Sequence, residues 1–459
     1  MPQGEIGSAA RLGGDMAGGD TPPSNSPPSN TPQRALRHWQ LICFTLLSAP
    51  LAMVNFAVVS FVPTYYAIDL GLGLALVGAV FMFGRFFDVF TDPLVGALSD
   101  RSHSRWGPRV PWMVLSFPPL LVFGWMLLVP PAAVGPLYLF LVASGYLLCL
   151  TLFDVPYSSI GLEISPNRHE RSVLAGTKAV FQIIGALMAS LVPVVIAAQM
   201  GLSLRTLAMI FVTSMPLALV AFLIGTPRYS QPARAARPSL WTAWRVCLAR
   251  PAFRQMMIAF FTVQAANAMT VGLLVLFVTH VLQAPAMVGQ MFLMLLLGTA
   301  FFVPLWIYLS KKIGKQQTWI TAICLCTVVL LLAYGVAPES TVMMQMICVG
   351  LGACMTCDAV MPTSMLADIV ARDEAEAGHP RAASYLALKN AASKMAFVAP
   401  MGVAFPILGW AGFDKAGTNA PETLSFLLFF FAGLPALLRL ITATYLWRGL
   451  KPQNSHATA

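Results

Sequence analysis

Apolar residues in this chain come in long runs, each broken by a short polar stretch, and strand-like alternation is not sustained anywhere. A helix needs about 20 mostly apolar residues to cross the hydrocarbon core of a bilayer. Runs of that kind begin near residues 38, 73, 110, 136, 172, 203, 252, 286, 317, 340, 381 and 421. The pattern predicts an all-α polytopic membrane protein of about twelve spans. It argues against a β-barrel, whose strands would alternate lipid-facing and lumen-facing residues. The longest polar break, from about Thr226 to Arg250, divides the runs six and six. That predicts two six-helix bundles, residues 37–225 and 251–449, joined by a basic cytoplasmic linker over 226–250, with tails at 1–36 and 450–459.

Composition strengthens the membrane reading. Of 459 residues, 58% are hydrophobic and 10% are charged, against about 25% charged in a soluble domain. So few charges cannot coat a water-facing surface, and a single soluble core stops growing near roughly 300 residues. The net charge of +10 sits between the apolar runs, not in blocks interleaved with aromatics, which points away from nucleic acid. With the first loop outside, basic residues such as Arg37, Arg109, Arg250, Lys311, Lys315 and Arg448 fall on the cytoplasmic side. The outer side receives only Arg205 and Lys415. The positive-inside rule then predicts a multi-pass protein of the plasma (inner) membrane with both termini cytoplasmic. Residues 1–33, rich in Pro, Ser, Gly and Asn, have no apolar h-region and read as a disordered tail. Most of the eight cysteines lie in apolar runs, and the lone Cys354–Cys357 C-x-x-C reads as small helix residues.

A charge at mid-bilayer costs at least a few kcal/mol and marks a functional-site hypothesis. Here the set is Arg85, Asp88, Asp92, Asp154, Asp358, Lys389, Lys394 and Arg439. Asp88 and Asp92 are four apart, so they share one helix face, and Arg85 shares it three residues earlier. Two close carboxylates resist joint ionisation unless a cation sits between them. Either Na⁺ or a proton suits the pair, and a structural salt-bridge cluster is the competing reading. Asp154 is placed to accept hydroxyls of a polyol, with Thr151 a turn earlier offering an oxygen to a cation. Asn390 and Lys394 share a face of the eleventh run. Lys389 lies nearer the cytoplasmic end, where a lysine snorkels. Asp358 and Arg439 have no partner nearby in sequence. Walker A, H-E-x-x-H and G-x-S-x-G motifs are absent, which argues against an enzyme or a nucleotide-driven pump.

Three stretches resemble the glycoside–pentoside–hexuronide:cation symporters, the melibiose permease-like branch of the major facilitator superfamily. They are GRFFDVFTDPLVGALSDRSHSRWGPRVPW (84–112), DVPYSS with NRHERSVL (154–159 and 167–174), and SMLADIVARDEAEAGHPRAASYLALKNAASK (364–394). The resemblance implies the major facilitator fold. It implies a cation site at Asp88, Asp92 and Thr151, a sugar carboxylate at Asp154, a basic sugar contact near Lys178, and Lys394 as a link between the cation and sugar sites. It also matches Asp100, Arg101, Arg105, Arg168, Arg171, Asp368, Glu374 and Arg381 to cytoplasmic charges that lock the outward-facing state. Arg85 and Asn390 complete the expected solute environment. Two departures weaken the disaccharide expectation: Ser158 replaces a tryptophan, and Ala359 stands near the position of a second aromatic.

The expectation is a monomeric secondary transporter without a cofactor, coupling Na⁺ or H⁺ to a small-molecule solute, a carbohydrate by resemblance. A facilitator or exporter of lipid-like or drug-like solutes in the same fold is the alternative. A non-transporting membrane sensor is disfavoured by tails of about 35 and 10 residues.

Overall fold

A computed structural model describes residues 37–102, 104, 106–164, 168–196, 200–226, 240–377, 382–413 and 419–449. The chain forms one compact unit over Leu36–Ala459, and all regular structure among the described residues is helical. Among the described residues, eleven helices are long and apolar enough to span a membrane, and a bent pair counted as one span makes a twelfth. The first six are α1 (His38–Ser60), α2 (Leu74–Ser99), α3 (Val110–Leu128), α4 (Pro136–Gly161), α5 (Val173–Ile196) and α6 (Met200–Gly225). The second six are α7 (Pro251–His280), α8 (Pro285–Phe301 with Val303–Ile313, bent by 41°), α9 (Lys315–Gly335), α10 (Thr341–Glu376), α11 (Ser384–Trp410) and α12 (Pro421–Arg448). Every start lies within about three residues of the start the apolar runs predict. Most of the expected linker falls outside the described residues, but its end carries a short helix, Leu240–Ala249. Cys247 of that helix is buried against Phe253, Met256 and Tyr385.

Hydrophobic runs become helices here because a lipid-facing backbone must satisfy its own hydrogen bonds. Prolines are tolerated inside them: α2 runs unbroken through Pro93, and α4 through Pro156. Burial then sorts the spans. α7 is an inner helix with 72% of its apolar window buried, whereas α5 has 22%. Large apolar side chains such as Leu115, Val195 and Leu217 are exposed on the surface, as lipid-facing residues are.

The two halves repeat one packing scheme. α2 and α3 pack on α4 as α8 and α9 pack on α10, and α1 packs on α5 as α7 packs on α11. Helix n in the first half therefore corresponds to helix n+6 in the second. The seam between halves obeys the same relation, with α5 against α8 and α2 against α11. Close contacts along it gather at one face. A Cβ on Gly289 would lie 2.9 Å from Pro193 Cβ and 3.0 Å from the Ser190 carbonyl oxygen. Gly78 leaves no room for a Cβ beside the Met401 carbonyl. Phe292 of α8 meets Phe56 and Phe61 edge-on, with ring centres 5.4 and 5.1 Å apart. All of these lie at the membrane face opposite the one that carries Arg37, Arg250, Lys311, Lys312, Lys315 and Arg448. We call the latter the basic face.

Candidate functional site

The α2 turn that carries both aspartates lies against α4 on one side and α11 on the other. Thr151 of α4 directs its hydroxyl between the two carboxylates, 3.2 Å from Asp92 Oδ1 and 3.5 Å from Asp88 Oδ1. One hydroxyl proton cannot fully serve both acceptors, so these oxygens are under-satisfied by the protein. Lys394 of α11 donates to Asp92 Oδ2 at 2.6 Å. Arg85 Nη1 is 3.6 Å from Asp88 Oδ2, and its guanidinium lies over the Phe397 ring of α11. Two carboxylates and two cations thus sum to zero across the seam. Asp88 is buried, while the Asp92 and Lys394 side chains are 25% and 30% exposed.

Farther along α4, Ser158 bonds Asp154 Oδ1 at 3.4 Å and accepts from Lys178 Nζ at 2.9 Å. Lys178 also lies 4.5 Å from the Tyr157 ring centre. Tyr157 is fixed from behind: its hydroxyl is 2.7 Å from Ser48 Oγ and donates to the Phe44 carbonyl at 2.9 Å. Ser158, noted in the sequence only as a missing tryptophan, is therefore the residue that joins Asp154 to Lys178.

Asn390 is exposed on α11, and none of the described hydrogen bonds ties it to these groups. Asp368 pairs with Lys315 of its own half at 2.6 Å. Glu374, near the end of α10, is half-buried. Arg105, Arg381 and the side chains of Asp100, Arg101, Arg168 and Arg171 lie outside the described residues.

Sequence reasoning left Asp358 and Arg439 unpaired, and the structure pairs them. Arg439 Nη2 donates to Asp358 Oδ2 at 2.7 Å, and both side chains are sealed from solvent. Trp319 Nε1 donates to Asp358 Oδ1 at 3.0 Å, and Asn267 Nδ2 to Oδ2 at 3.2 Å. Arg439 also donates to Asn267 Oδ1. The cluster ties α7, α9, α10 and α12 together. Its one sequence signal was opposite charges left over in the apolar runs of one half, 81 residues apart.

The family profile described as "MFS/sugar transport protein" matches residues 43–451. An uncharacterised symporter of Synechocystis is 34% identical over 139 residues, 28% of this chain and 25% of that protein. The sodium-dependent lysophosphatidylcholine symporter 1 of Mus musculus is 20% identical over 434 residues, covering 84% of this chain and 80% of that one. The glucuronide carrier protein homolog of Escherichia coli K12 is 27% identical over 124 residues, 26% of this chain and 27% of that protein. Among solved structures, the nucleoside transporter NupG superposes with a TM-score of 0.64 at 13% identity, covering 89% of this chain and 99% of that one. The profile spans both halves of the helical unit, and the twelve-span layout agrees with it: the chain belongs to the MFS/sugar transport protein family, a family of major facilitator transporters, not of enzymes.

Proposed function

We propose that the chain is a cation-coupled symporter in which Na⁺ or H⁺ binds among Asp88, Asp92 and Thr151. One observation carries this reading: Asp92 is held by a lysine from the opposite half. In the observed arrangement Lys394 supplies the charge that Asp92 requires. A cation arriving between the carboxylates takes over that role and frees Lys394, which alters the α2–α11 seam. Cation occupancy thereby acquires different energies in different arrangements of the halves, and only such a difference can shift their populations. The close contacts at the face opposite the basic one match an arrangement that admits solute from the basic side. We assign the basic face to the cytoplasm of an inner-membrane protein on the positive-inside rule.

The solute site extends from Asp154, Ser158 and Lys178 on the first half to Lys394 and Asn390 on the second. A glycoside-like solute fits hydroxyl recognition by Asp154. A lipid-like solute is the second reading, favoured by the near full-length similarity to a lysophosphatidylcholine symporter and by Ser158 and Ala359 standing where stacking aromatics were expected. The test is uptake into vesicles with imposed Na⁺ or pH gradients, using methyl glucuronide and lysophosphatidylcholine as probes. The parent protein concentrates one of them, and Asp88→Cys abolishes that accumulation. Undiminished gradient-driven accumulation by Asp88→Cys would refute the cation-site assignment.

A further inference from the structure

α7 carries two amides near its middle. Gln264 lies thirteen residues past Pro251 and sixteen before His280, and Asn267 follows it by three. Both are half-buried. Asn267 reaches the sealed Asp358–Arg439 pair, and Gln264 reaches Asn267. Asn267 Nδ2 lies 3.2 Å from Asp358 Oδ2 and 3.1 Å from Gln264 Oε1.

The charges of the pair dictate which way each amide points. A carboxylate only accepts hydrogen bonds, and a guanidinium only donates them. Arg439 therefore takes Asn267 Oδ1, and Asp358 takes one Nδ2 hydrogen. The second Nδ2 hydrogen is left for Gln264, which must turn its oxygen toward it. Gln264 thus keeps two Nε2 hydrogens that no acceptor meets among the described residues.

The surface beside this amide is polar. One turn before Gln264, the Phe260 ring has the Lys389 ammonium 5.1 Å from its centre, and that ammonium donates to Thr363 of α10 at 2.7 Å. Thr363 is exposed, and Lys389 has no carboxylate within salt-bridge distance among the described residues. An ammonium without a counter-ion is costly against lipid, and so are two amide hydrogens without an acceptor. Both groups are accommodated if this stretch of α7 borders water instead.

We propose that Gln264 is a solute contact that offers its two N–H donors to an acceptor oxygen of the transported molecule, and that Asp358 and Arg439 set this polarity through Asn267. The proposal rests on the transport reading and adds a contact on α7 to its solute site. Asn267, Asp358 and Arg439 are positioning residues in it. The sealed pair then has a second consequence besides holding four helices together: it keeps the donor side of one amide toward the solute. A solute group that can only donate meets the wrong side of that amide.

One arm of the test needs no solute. In purified protein in lipid nanodiscs, Gln264→Cys reacts with a membrane-impermeant thiol reagent at least tenfold faster than the native cysteines of the parent. Labelling no faster than that background overturns the proposal. Binding is then measured by thermal stabilisation at fixed Na⁺ and pH with no gradient, so the outcome is separate from cation coupling. The probes are methyl glucuronide and lysophosphatidylcholine, which both carry acceptor oxygens, and the parent binds at least one of them. Gln264→Met, apolar and of similar length, weakens that binding tenfold or more. Asp358→Leu with Arg439→Met weakens it to a similar degree. Adding Gln264→Met to that double variant costs less than a further twofold, because the amide has already lost its orientation. A purely structural role for the pair would leave the Gln264→Met loss in full. Unchanged affinity in folded Gln264→Met, full additivity of the losses, or a parent that binds neither probe overturns the proposal. The labelling arm and Gln264→Met leave the sealed pair intact, so neither depends on the core variants folding.

Discussion

The Asp358–Arg439 pair and the Asp92–Lys394 pair are made of similar parts, and their surroundings make them different devices. The first joins helices of one half, with side chains 0% and 1% exposed. The second crosses the seam between halves, with side chains 25% and 30% exposed. Opening the first pair would leave bare charge in an apolar interior, with no water or ion to replace the lost partner. Opening the second exposes groups that water already reaches and that an incoming cation can satisfy. Trp319 and Asn267 saturate Asp358 with further donors, whereas Asp88 Oδ1 and Asp92 Oδ1 share a single threonine hydroxyl. The lesson is that access to water and position relative to the seam, more than charge itself, separate a staple from a switch.

That contrast breaks most readily at the staple. Asp358→Asn or Arg439→Ala leaves one buried charge uncompensated, at a cost of about 3–5 kcal/mol. Either variant should show the largest fall in melting temperature and in yield of monodisperse protein. Replacing both together, Asp358→Leu with Arg439→Met, should recover most of the loss, since an apolar pair of similar volume is about as stable as a buried ion pair. Single variants that melt like the parent would show that the sealed pair holds nothing.

The switch should respond less in stability and more in its dependence on cations. Lys394→Ala removes a partly exposed charged hydrogen bond, a loss of about 1–2 kcal/mol. It also leaves the two carboxylates short of a positive charge. Na⁺ or acidification, whichever is the coupling ion, should therefore raise the melting temperature of Lys394→Ala more than that of the parent. Equal shifts in the two proteins would mean that Lys394 does not compete with the cation.

Much of this was legible in the sequence, for physical reasons that also mark where legibility ended. Run length located the spans because the bilayer fixes helix length, and helical spacing put Arg85, Asp88 and Asp92 on one face because those contacts are local. Thr151 was offered to a cation from its place a turn before Asp154, while the role of Lys394 came through the resemblance, since no spacing rule connects residue 92 to residue 394. Asp358 and Arg439 stayed unpaired because their contact depends on how α10 and α12 pack. Lys389 was read as a snorkelling residue because its depth was visible and its orientation was not. Only the fold could show that Thr363 and Phe260 hold its head.

A third pair, at the surface, sets the lower end of the comparison. Lys315 Nζ lies 2.6 Å from Asp368 Oδ2, with side chains 37% and 55% exposed, and also reaches the Ser364 carbonyl. Exposed pairs are worth at most about 1 kcal/mol, so Lys315→Ala should barely move the melting temperature, and added salt should erase the difference. Its more informative effect is on the balance between arrangements. The resemblance assigns Asp368 to a lock at the basic face, yet with the halves meeting at the opposite face it is held by a lysine of its own half. Removing Lys315 releases Asp368 toward that lock. A bias of about 0.5 kcal/mol on an exposed pair corresponds to roughly a twofold shift in population. Labelling of Thr363→Cys by a membrane-impermeant thiol reagent should slow by about that factor when Lys315→Ala is added. Unchanged labelling would leave the Lys315 pair a surface contact alone, because Asp368 would then have no competing partner across the seam.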